Sequence, residues 1–256
     1  MHLETIELRK CFPTRRGRLL ALDGVNLHIE TGELVSIIGA SGSGKTTLLR
    51  IIAGLEMPSS GQVMIDGRTV EGPGPDRGLV FQSYTLYPWL RVEENACFGL
   101  ALQGMPRREQ KRRAAAYLEV VGLRHCAHLY PHQLSGGMKQ RLAIARALAT
   151  EPKVLLMDEP FGALDAQTKE TMHQFLLEVW ERTGTTILLI THDVEEAVFL
   201  SQRVYVLESA PGRVKQEVEI DLPRHRDFSC KRSLNFLQQR ENLLELLRAE
   251  RAKVAA

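Results

Sequence analysis

The chain has 256 residues, a length that suits one large domain with room for an inserted subdomain. Its 33 basic and 31 acidic residues leave a formal charge of +2, which argues against nucleic acid as the main partner. The four cysteines lie far apart without a C-x-x-C pair, so they indicate neither a zinc knuckle nor a disulfide framework and fit a reducing compartment. We expect no signal segment and no membrane span, because no apolar run approaches the ~20 residues that cross a bilayer.

The first part of the chain predicts an antiparallel β-subdomain. Apolar and polar residues alternate over residues 6–8 and 25–29, which is the pattern of half-buried strands. A third strand is expected over residues 62–66, where an Asp-Gly pair signals a hairpin turn. Phe12 comes just before a proline that is expected to form a turn between the first two strands. It is either a core side chain, the commoner fate of a lone Phe, or a ring that stacks on adenine.

A glycine-rich turn from Gly39 to Thr47 follows an apolar strand pattern and leads into an apolar helix pattern. It matches G-x-x-x-x-G-K-[ST] at every fixed position, in the strand-turn-helix context that this phosphate-binding motif requires. Its glycines let backbone N–H groups surround phosphate oxygens, and the helix N-terminus faces the same anion. We expect Lys45 on the β- and γ-phosphates, Thr46 on Mg²⁺ and Thr47 near the α-phosphate. The residues of this turn expected to bind nucleotide are Gly39, Ser41, Gly42, Gly44, Lys45, Thr46 and Thr47.

Three compact apolar runs predict strands that are buried on both faces of a parallel sheet. They cover residues 78–81, 154–157 and 186–190. Each run ends abruptly, and the polar residues that follow are Gln82, Asp158 with Glu159, and His192. Because ligands bind beyond the carboxyl ends of such strands, we expect these side chains to converge with the glycine-rich turn.

The polar residues after these strands suit phosphate chemistry. Asp158, at the end of a buried strand, is expected to hold Mg²⁺, and Glu159 is expected to accept a proton from an attacking water. The alternative for the acidic pair is that it caps a helix. His192, judged by itself, is more often a structural histidine, although its place after a buried strand favours a role in the site.

Residues 95–150 predict helices with many charges. The basic run from Arg107 to Arg113 resembles a nuclear-localisation or heparin patch, but apolar residues at helical spacing continue it and favour a solvated helix face. Further on, a serine and two glycines at Ser135 to Gly137 open an apolar-periodic helix, which makes a second anion-binding helix N-terminus. Since one nucleotide does not need two, we expect the second to face the nucleotide of another copy of the chain.

Taken together, the motifs resemble those of ATP-binding-cassette (ABC) ATPases, and they occur in that family's order. They are the glycine-rich turn, Gln82, the Ser-Gly-Gly segment, the acidic pair, Asp165 and His192. The resemblance covers about residues 1–220. It implies an α/β P-loop NTPase with a central largely parallel sheet, an N-terminal antiparallel β-subdomain and a helical subdomain inserted at about residues 83–150. Residues 221–256 would form a C-terminal helical extension.

The resemblance also implies a role for each site residue. Phe12 would stack on adenine, and Gln82 would contact Mg²⁺ and the attacking water. His192 would hold the γ-phosphate and orient Glu159, the base. The expected metal ligands are Thr46, Gln82 and Asp158. Two copies would close head-to-tail around two ATP, and the residues that reach the partner's nucleotide or cross the interface would be Ser135, Gly136, Gly137 and Asp165.

Shorter segments such as Tyr87-Pro88-Trp89 and Pro211-Gly212-Arg213-Val214 resemble the ATPase subunits of bacterial nitrate, sulfonate and taurine importers. That resemblance implies an ATP-hydrolysing subunit that uses ATP and Mg²⁺ at the cytoplasmic face of the inner membrane. It would act with integral membrane permease subunits and, through them, with a periplasmic or extracellular solute-binding protein, and not with nucleic acid.

Other functions remain open at this point. An ABC ATPase for export or for a different solute would share these motifs. A cassette that acts on DNA or ribosomes would need a coiled-coil insertion or a second cassette, and neither pattern is present. A small P-loop kinase would share the glycine-rich turn but would have no use for the Ser-Gly-Gly segment.

An aromatic and apolar cluster follows Gln82. It consists of Tyr84, Leu86, Tyr87, Trp89 and Leu90, in a chain with 6% aromatic residues. The cluster is either the small core of the helical subdomain or a partly exposed groove that receives a helix of the membrane subunit.

Overall fold

The computed structural model describes residues 2–15 and 17–254, with side chains to residue 248. The chain forms two compact units: Met1–Gly74 with Thr186–Ala256 make the first, and Pro75–Thr185 make the second. In chain order, the helices and strands are β1 (Leu3–Thr14), β2 (Gly17–Ile29), β3 (Leu34–Gly39), α1 (Lys45–Ile52), β4 (Ser60–Ile65), β5 (Arg68–Thr69), β6 (Arg77–Val80), α2 (Val92–Leu102), α3 (Arg107–Val120), α4 (Gly136–Leu148), β7 (Val154–Asp158), α5 (Ala166–Thr183), β8 (Thr186–Ile190), α6 (Val194–Leu200), β9 (Arg203–Glu208), β10 (Arg213–Glu219) and α7 (Leu234–Val254).

The first unit contains the predicted antiparallel subdomain, a sheet with strand order β2-β1-β4-β5. Leu3 on β1 pairs with Ile29 on one side and Ile65 on the other, and all three side chains are buried. The hairpin between β4 and β5 is also as predicted. Its turn residues Asp66 and Gly67 both have positive φ, 47° and 72°, which is the backbone that a tight two-residue hairpin requires.

One detail of this sheet differs from the prediction. Phe12 and its proline do not form a turn between two strands. Instead β1 continues through them to Thr14, with Phe12 opposite Leu19 and Pro13 opposite Arg18 on β2. Pro13 fits a strand here because it lies close to the end of the hairpin, where a missing N–H costs few ladder hydrogen bonds.

The first unit also contains a mostly parallel layer with strand order β10-β9-β3-β8. β3 pairs in parallel with β8 and with β9, and β10 is antiparallel to β9. Both β3 and β8 are buried along their whole length, which explains why they read as continuous apolar runs. On the part of α7 whose side chains the structure describes, Phe236 and Leu243 are fully buried, whereas Leu237 is 40% exposed.

The second unit combines two parallel strands with helices. β6 pairs with β7, and α2, α3 and α4 lie between them in the chain, as the sequence predicts for residues 95–150. The helices pack through small and branched apolar side chains such as Ala96, Leu100, Ala114 and Leu118. Among residues 2–15 and 17–254, no helix is both long and apolar enough to cross a membrane.

Candidate functional site

The glycine-rich turn joins β3 to α1 in the first unit. Gly42 and Gly44 have φ values of 81° and 84°, which other residues rarely adopt. Gly39 is needed for a different reason, because a Cβ there would lie 2.6 Å from the Ser43 hydroxyl oxygen and 2.7 Å from the Leu207 carbonyl oxygen. The motif glycines therefore let the chain turn tightly enough to point successive N–H groups inward.

Lys45 is the first residue of α1, and its side chain is 8% exposed. Its ammonium group donates hydrogen bonds of 2.9 Å to the carbonyl oxygens of Gly39 and Ala40, so it is held inside the turn. Ser41, Gly42 and Thr46 are exposed around it. A buried cation in a turn with exposed residues at the N-terminus of a helix is suited to bind an anion such as a phosphate.

His192 lies level with Gly39 in the first unit. Ile37 of β3 is paired in parallel with Ile190 of β8. Gly39 comes two positions after Ile37, and His192 comes two positions after Ile190. The turn that carries His192 is fixed by its neighbours, since Asp193 caps α6 by accepting hydrogen bonds from the N–H groups of Glu195 and Glu196. The exposed His192 side chain is thus held at the edge of the sheet where the glycine-rich turn begins.

Phe12 is half-buried on β1, and the ammonium group of Lys10 lies 4.9 Å from its ring centroid. Leu19, opposite Phe12 on β2, is 56% exposed. Phe12 is therefore not a fully buried core residue, and an aromatic ring in this position is compatible with stacking.

In the second unit, Gln82 and Glu159 are brought together in the same way. Val80 of β6 pairs in parallel with Met157 of β7, and the two polar residues follow two positions later. Both border Gly162, where an added Cβ would lie 3.4 Å from Gln82 Nε2 and 3.8 Å from Glu159 Oε2. Glu159 has a φ of 46°, an uncommon conformation for a residue with a side chain.

The acidic pair does not cap a helix, so that alternative is wrong. The next helix, α5, starts at Ala166 and is capped by Asp165. Asp165 Oδ1 accepts a 3.0 Å hydrogen bond from the Thr168 N–H, and Oδ2 accepts a 2.6 Å hydrogen bond from the Thr168 hydroxyl. These two hydrogen bonds lower the pKa of the exposed Asp165 carboxyl below its usual value. Asp158 ends β7 and is half-buried.

The Ser-Gly-Gly segment opens α4 as predicted. Ser135 is exposed and caps the helix by accepting a 3.3 Å hydrogen bond from the Met138 N–H. A Cβ on Gly136 would lie 3.2 Å from the Tyr84 hydroxyl oxygen, and a Cβ on Gly137 would lie 3.2 Å from a Thr168 methyl carbon. The glycines leave the helix N-terminus open and allow two neighbouring segments to approach it.

Two polar side chains that the sequence analysis did not single out hold the segment after Gln82. Arg146 of α4 donates to the Thr85 carbonyl at 2.7 Å and to the Thr85 hydroxyl at 3.0 Å. Asn95 of α2 is fully buried, accepts a hydrogen bond from the Tyr87 N–H at 2.9 Å and donates to the Leu90 carbonyl at 2.9 Å. A sequence signal existed for Arg146, because it interrupts the apolar run from Leu142 to Leu148. Asn95 follows two acidic residues on α2 and carries no such signal.

The aromatic cluster after Gln82 is not a buried core. Trp89 is 70% exposed, and none of the other cluster members is fully buried. Tyr87 is half-buried and links the cluster to the helices, with ring centroids 4.2 Å from Phe98 and 5.7 Å from Trp89. Trp89 is therefore the member that presents the largest apolar surface to solvent.

Comparisons with known proteins agree with this architecture. The ABC transporter family model matches residues 22–162. The nitrate import ATP-binding protein NrtD of Synechocystis sp. is 55% identical over 254 residues, which cover 97% of this chain and 96% of that protein. The bicarbonate transport ATP-binding protein CmpC of Synechococcus elongatus is 48% identical over 228 residues, which cover 88% of this chain and 34% of that protein.

A solved structure is also similar. It is a dimeric post-hydrolysis state of an ATP-binding cassette, MJ0796, bound to ADP and Pi, with a TM-score of 0.73 and 36% identity over 86% of this chain and all of that one. The chain belongs to the ABC transporter family. It is the ATP-binding subunit that hydrolyses ATP to drive transport, and cassettes of this family dimerise.

Proposed function

We propose that the chain energises the import of a small inorganic anion, nitrate or bicarbonate, through separate permease subunits. The observation that carries this proposal is the 55% identity to a nitrate import ATP-binding protein along almost the whole of both chains. The match to a bicarbonate transport protein makes bicarbonate the second candidate. We propose in addition that the permeases place the chain at the cytoplasmic face of the membrane, and that a solute-binding protein outside the membrane delivers the anion.

We propose that the first unit binds ATP through the glycine-rich turn. The backbone N–H groups of Gly39, Ser41, Gly42 and Gly44 would surround the phosphates, Lys45 would contact the β- and γ-phosphates, and Phe12 would stack on adenine. Thr47 would donate to the α-phosphate. His192, level with the start of this turn, would hold the γ-phosphate.

The site residues include a donor set that fits Mg²⁺. Thr46, Gln82 and Asp158 offer hydroxyl, amide and carboxylate oxygens, the ligand types that this hard cation prefers. Mg²⁺ would supply neutralisation of the negative charge on the phosphates. Glu159 would accept the proton of the attacking water. Gln82 Nε2 and Glu159 Oε2 lie 3.4 and 3.8 Å from the position of a Cβ added to Gly162, and their common neighbour supports joint action on that water.

We propose that the dimer is head-to-tail and that each nucleotide is completed by the other copy. Ser135, Gly136 and Gly137 would bind the γ-phosphate held by the partner, and the exposed Asp165 would lie at the interface. The open N-terminus of α4 supports this arrangement. In terms of domains, residues 1–220 would form the ATPase domain, with the helical subdomain at about 83–150, and residues 221–256 would form a C-terminal extension.

The proposal is tested with Glu159→Gln. The amide fits the same space but cannot accept a proton, so the purified variant should bind ATP, lose most of its turnover and accumulate as an ATP-bound dimer. Near-normal steady-state hydrolysis would remove Glu159 from the base role. In cells that lack the chain, the wild type should restore uptake of labelled nitrate or bicarbonate and the variant should not. If the wild type restores the uptake of neither anion, the solute assignment is wrong, and the assignment of the chain as an ATPase is unaffected.

A further inference from the structure

The turn between α2 and α3 carries a basic and partly apolar surface that the proposed ATPase function does not use. We call it the basic tip. It consists of Leu102, Met105, Arg107, Arg108, Lys111 and Arg112. Between residues 107 and 113 the chain has five basic residues and a single acidic one, Glu109, although its total charge is only +2.

The local ion pairs leave this surface positive. Glu109 is shared, because it accepts hydrogen bonds from Arg112 at 2.6 and 2.8 Å and from Arg113 at 3.2 Å. These hydrogen bonds lower the pKa of Glu109 to about 2. Lys111 lies 3.6 Å from Glu93 and remains 67% exposed. Arg107 and Arg108 are exposed and form no ion pair with any side chain that the structure describes.

The basic tip also presents a leucine to solvent. Leu102 is 76% exposed at the end of α2, whereas Leu100, two positions earlier, is fully buried. The turn beside it is well hydrogen-bonded: the Gly104 N–H donates to Ala101 O at 3.0 Å, and Gln110 Nε2 donates to Met105 O at 2.6 Å. The exposure of Leu102 is thus set by a defined turn.

Helix stability does not account for Arg107, Arg108 and Leu102. Arg107 and Arg108 lie in the first turn of α3, where the positive end of the helix dipole disfavours cations. An exposed leucine next to the turn gains nothing from burial. Residues that break a local rule in this way often serve a binding function.

We propose that the basic tip binds the surface of an anionic lipid bilayer. This inference rests on the proposed function in one respect, namely that permease subunits hold the chain next to a membrane. Cations together with an exposed leucine match an interface of charged headgroups above apolar chains. A single-stranded nucleic acid would be matched instead by cations with stacking aromatics, and the basic tip has no aromatic residue.

The test is co-sedimentation of the full chain with vesicles of phosphatidylcholine alone and with vesicles in which about one third of the lipid is phosphatidylglycerol. The wild type should bind the anionic vesicles only, and binding should weaken as salt shortens the Debye length from ~10 to ~3 Å. Arg107→Glu/Arg108→Glu should weaken binding about tenfold or more. Leu102→Ser should weaken it less, because the charges remain.

The matched control is Arg68→Glu/Arg232→Glu, which makes the same change of net charge at two exposed residues of the other unit. It should bind like the wild type. The proposal is overturned if both double variants lose binding equally, if neutral vesicles bind as well, or if the wild type binds heparin but no vesicle. ATPase activity should be unchanged in every variant, so a failure here is separable from a failure of the proposed function.

Discussion

Arg146 on α4 donates a 2.7 Å hydrogen bond to the main-chain carbonyl of Thr85, and its guanidinium carbon lies 5.5 Å from the centroid of the Tyr87 ring. Thr85 has a φ of 46°, so the segment is held in an uncommon conformation. Burial lowers the pKa of Arg146 without neutralising it. The helix that begins at the Ser-Gly-Gly segment is thereby tied to the segment that follows Gln82.

We expect Arg146→Ala to destabilise the chain by about 1–3 kcal/mol, because it removes the donors that satisfy the Thr85 carbonyl and hydroxyl. Arg146→Lys should recover only part of the loss, since one ammonium group cannot reproduce the fork of a guanidinium. Denaturant unfolding of the purified variants measures the change in unfolding free energy for both substitutions. An unfolding midpoint equal to that of the wild type in Arg146→Ala would show that these hydrogen bonds do not hold the segment.

Trp89 and Tyr87 should respond differently to the same substitution. Trp89→Ser should leave folding and basal ATPase activity unchanged, because the side chain is 70% exposed. If the cluster docks a permease, the variant should lose co-purification with the permease subunits and uptake. Tyr87→Ser should instead lower stability, because Tyr87 packs against Phe98. Normal assembly and uptake by Trp89→Ser would move the docking surface elsewhere.

The strands that position the site were predictable because their burial leaves a direct mark on the sequence. β7 and β8 are buried on both faces and therefore appear as unbroken apolar runs, and the residues after them fall at the edge where ligands bind. The turn between β4 and β5 was predictable for a similar reason, since Asp-Gly suits its positive φ values.

The features that were missed depend on which segments pair in the folded chain. Arg146 and Thr85 are 61 residues apart, and no local pattern reports which carbonyl a long side chain will reach. Phe12 was placed in a turn because proline normally interrupts a strand, whereas the pairing of Pro13 with Arg18 extends the strand to the hairpin end. In both cases tertiary pairing overrides the local signal.

Gln140 on α4 is fully buried, and neither its amide oxygen nor its amide nitrogen has a hydrogen-bond partner among the described residues. Gln140→Met should therefore stabilise the chain by about 1–3 kcal/mol, because methionine has a similar shape and no unsatisfied polar atoms. Gln140→Ala, the control, should destabilise it by leaving a cavity. Thermal unfolding of the three chains decides this, and a lower melting temperature for Gln140→Met would mean that the amide has a polar partner.

The shared sites of the proposed dimer can be tested by mixing two inactive variants. Lys45→Ala should fail at nucleotide binding, because it deletes the cation that the turn holds 2.9 Å from two of its own carbonyl groups. Ser135→Ala should fail at a step after nucleotide binding, since it removes the exposed hydroxyl at the open N-terminus of α4 and leaves the glycine-rich turn unchanged. Each homodimer would then carry the same defect in both of its sites.

A mixed dimer would be different, because one of its sites would combine Lys45 from one chain with Ser135 from the other, and its second site would have neither. ATPase activity that rises on mixing the two purified variants would therefore support sites built from both chains. A mixture that stays inactive has two explanations, which crosslinking at the exposed Asp165 separates. If Asp165→Cys chains crosslink in the presence of ATP, the sites are shared but must act together. If they do not, the head-to-tail arrangement is wrong.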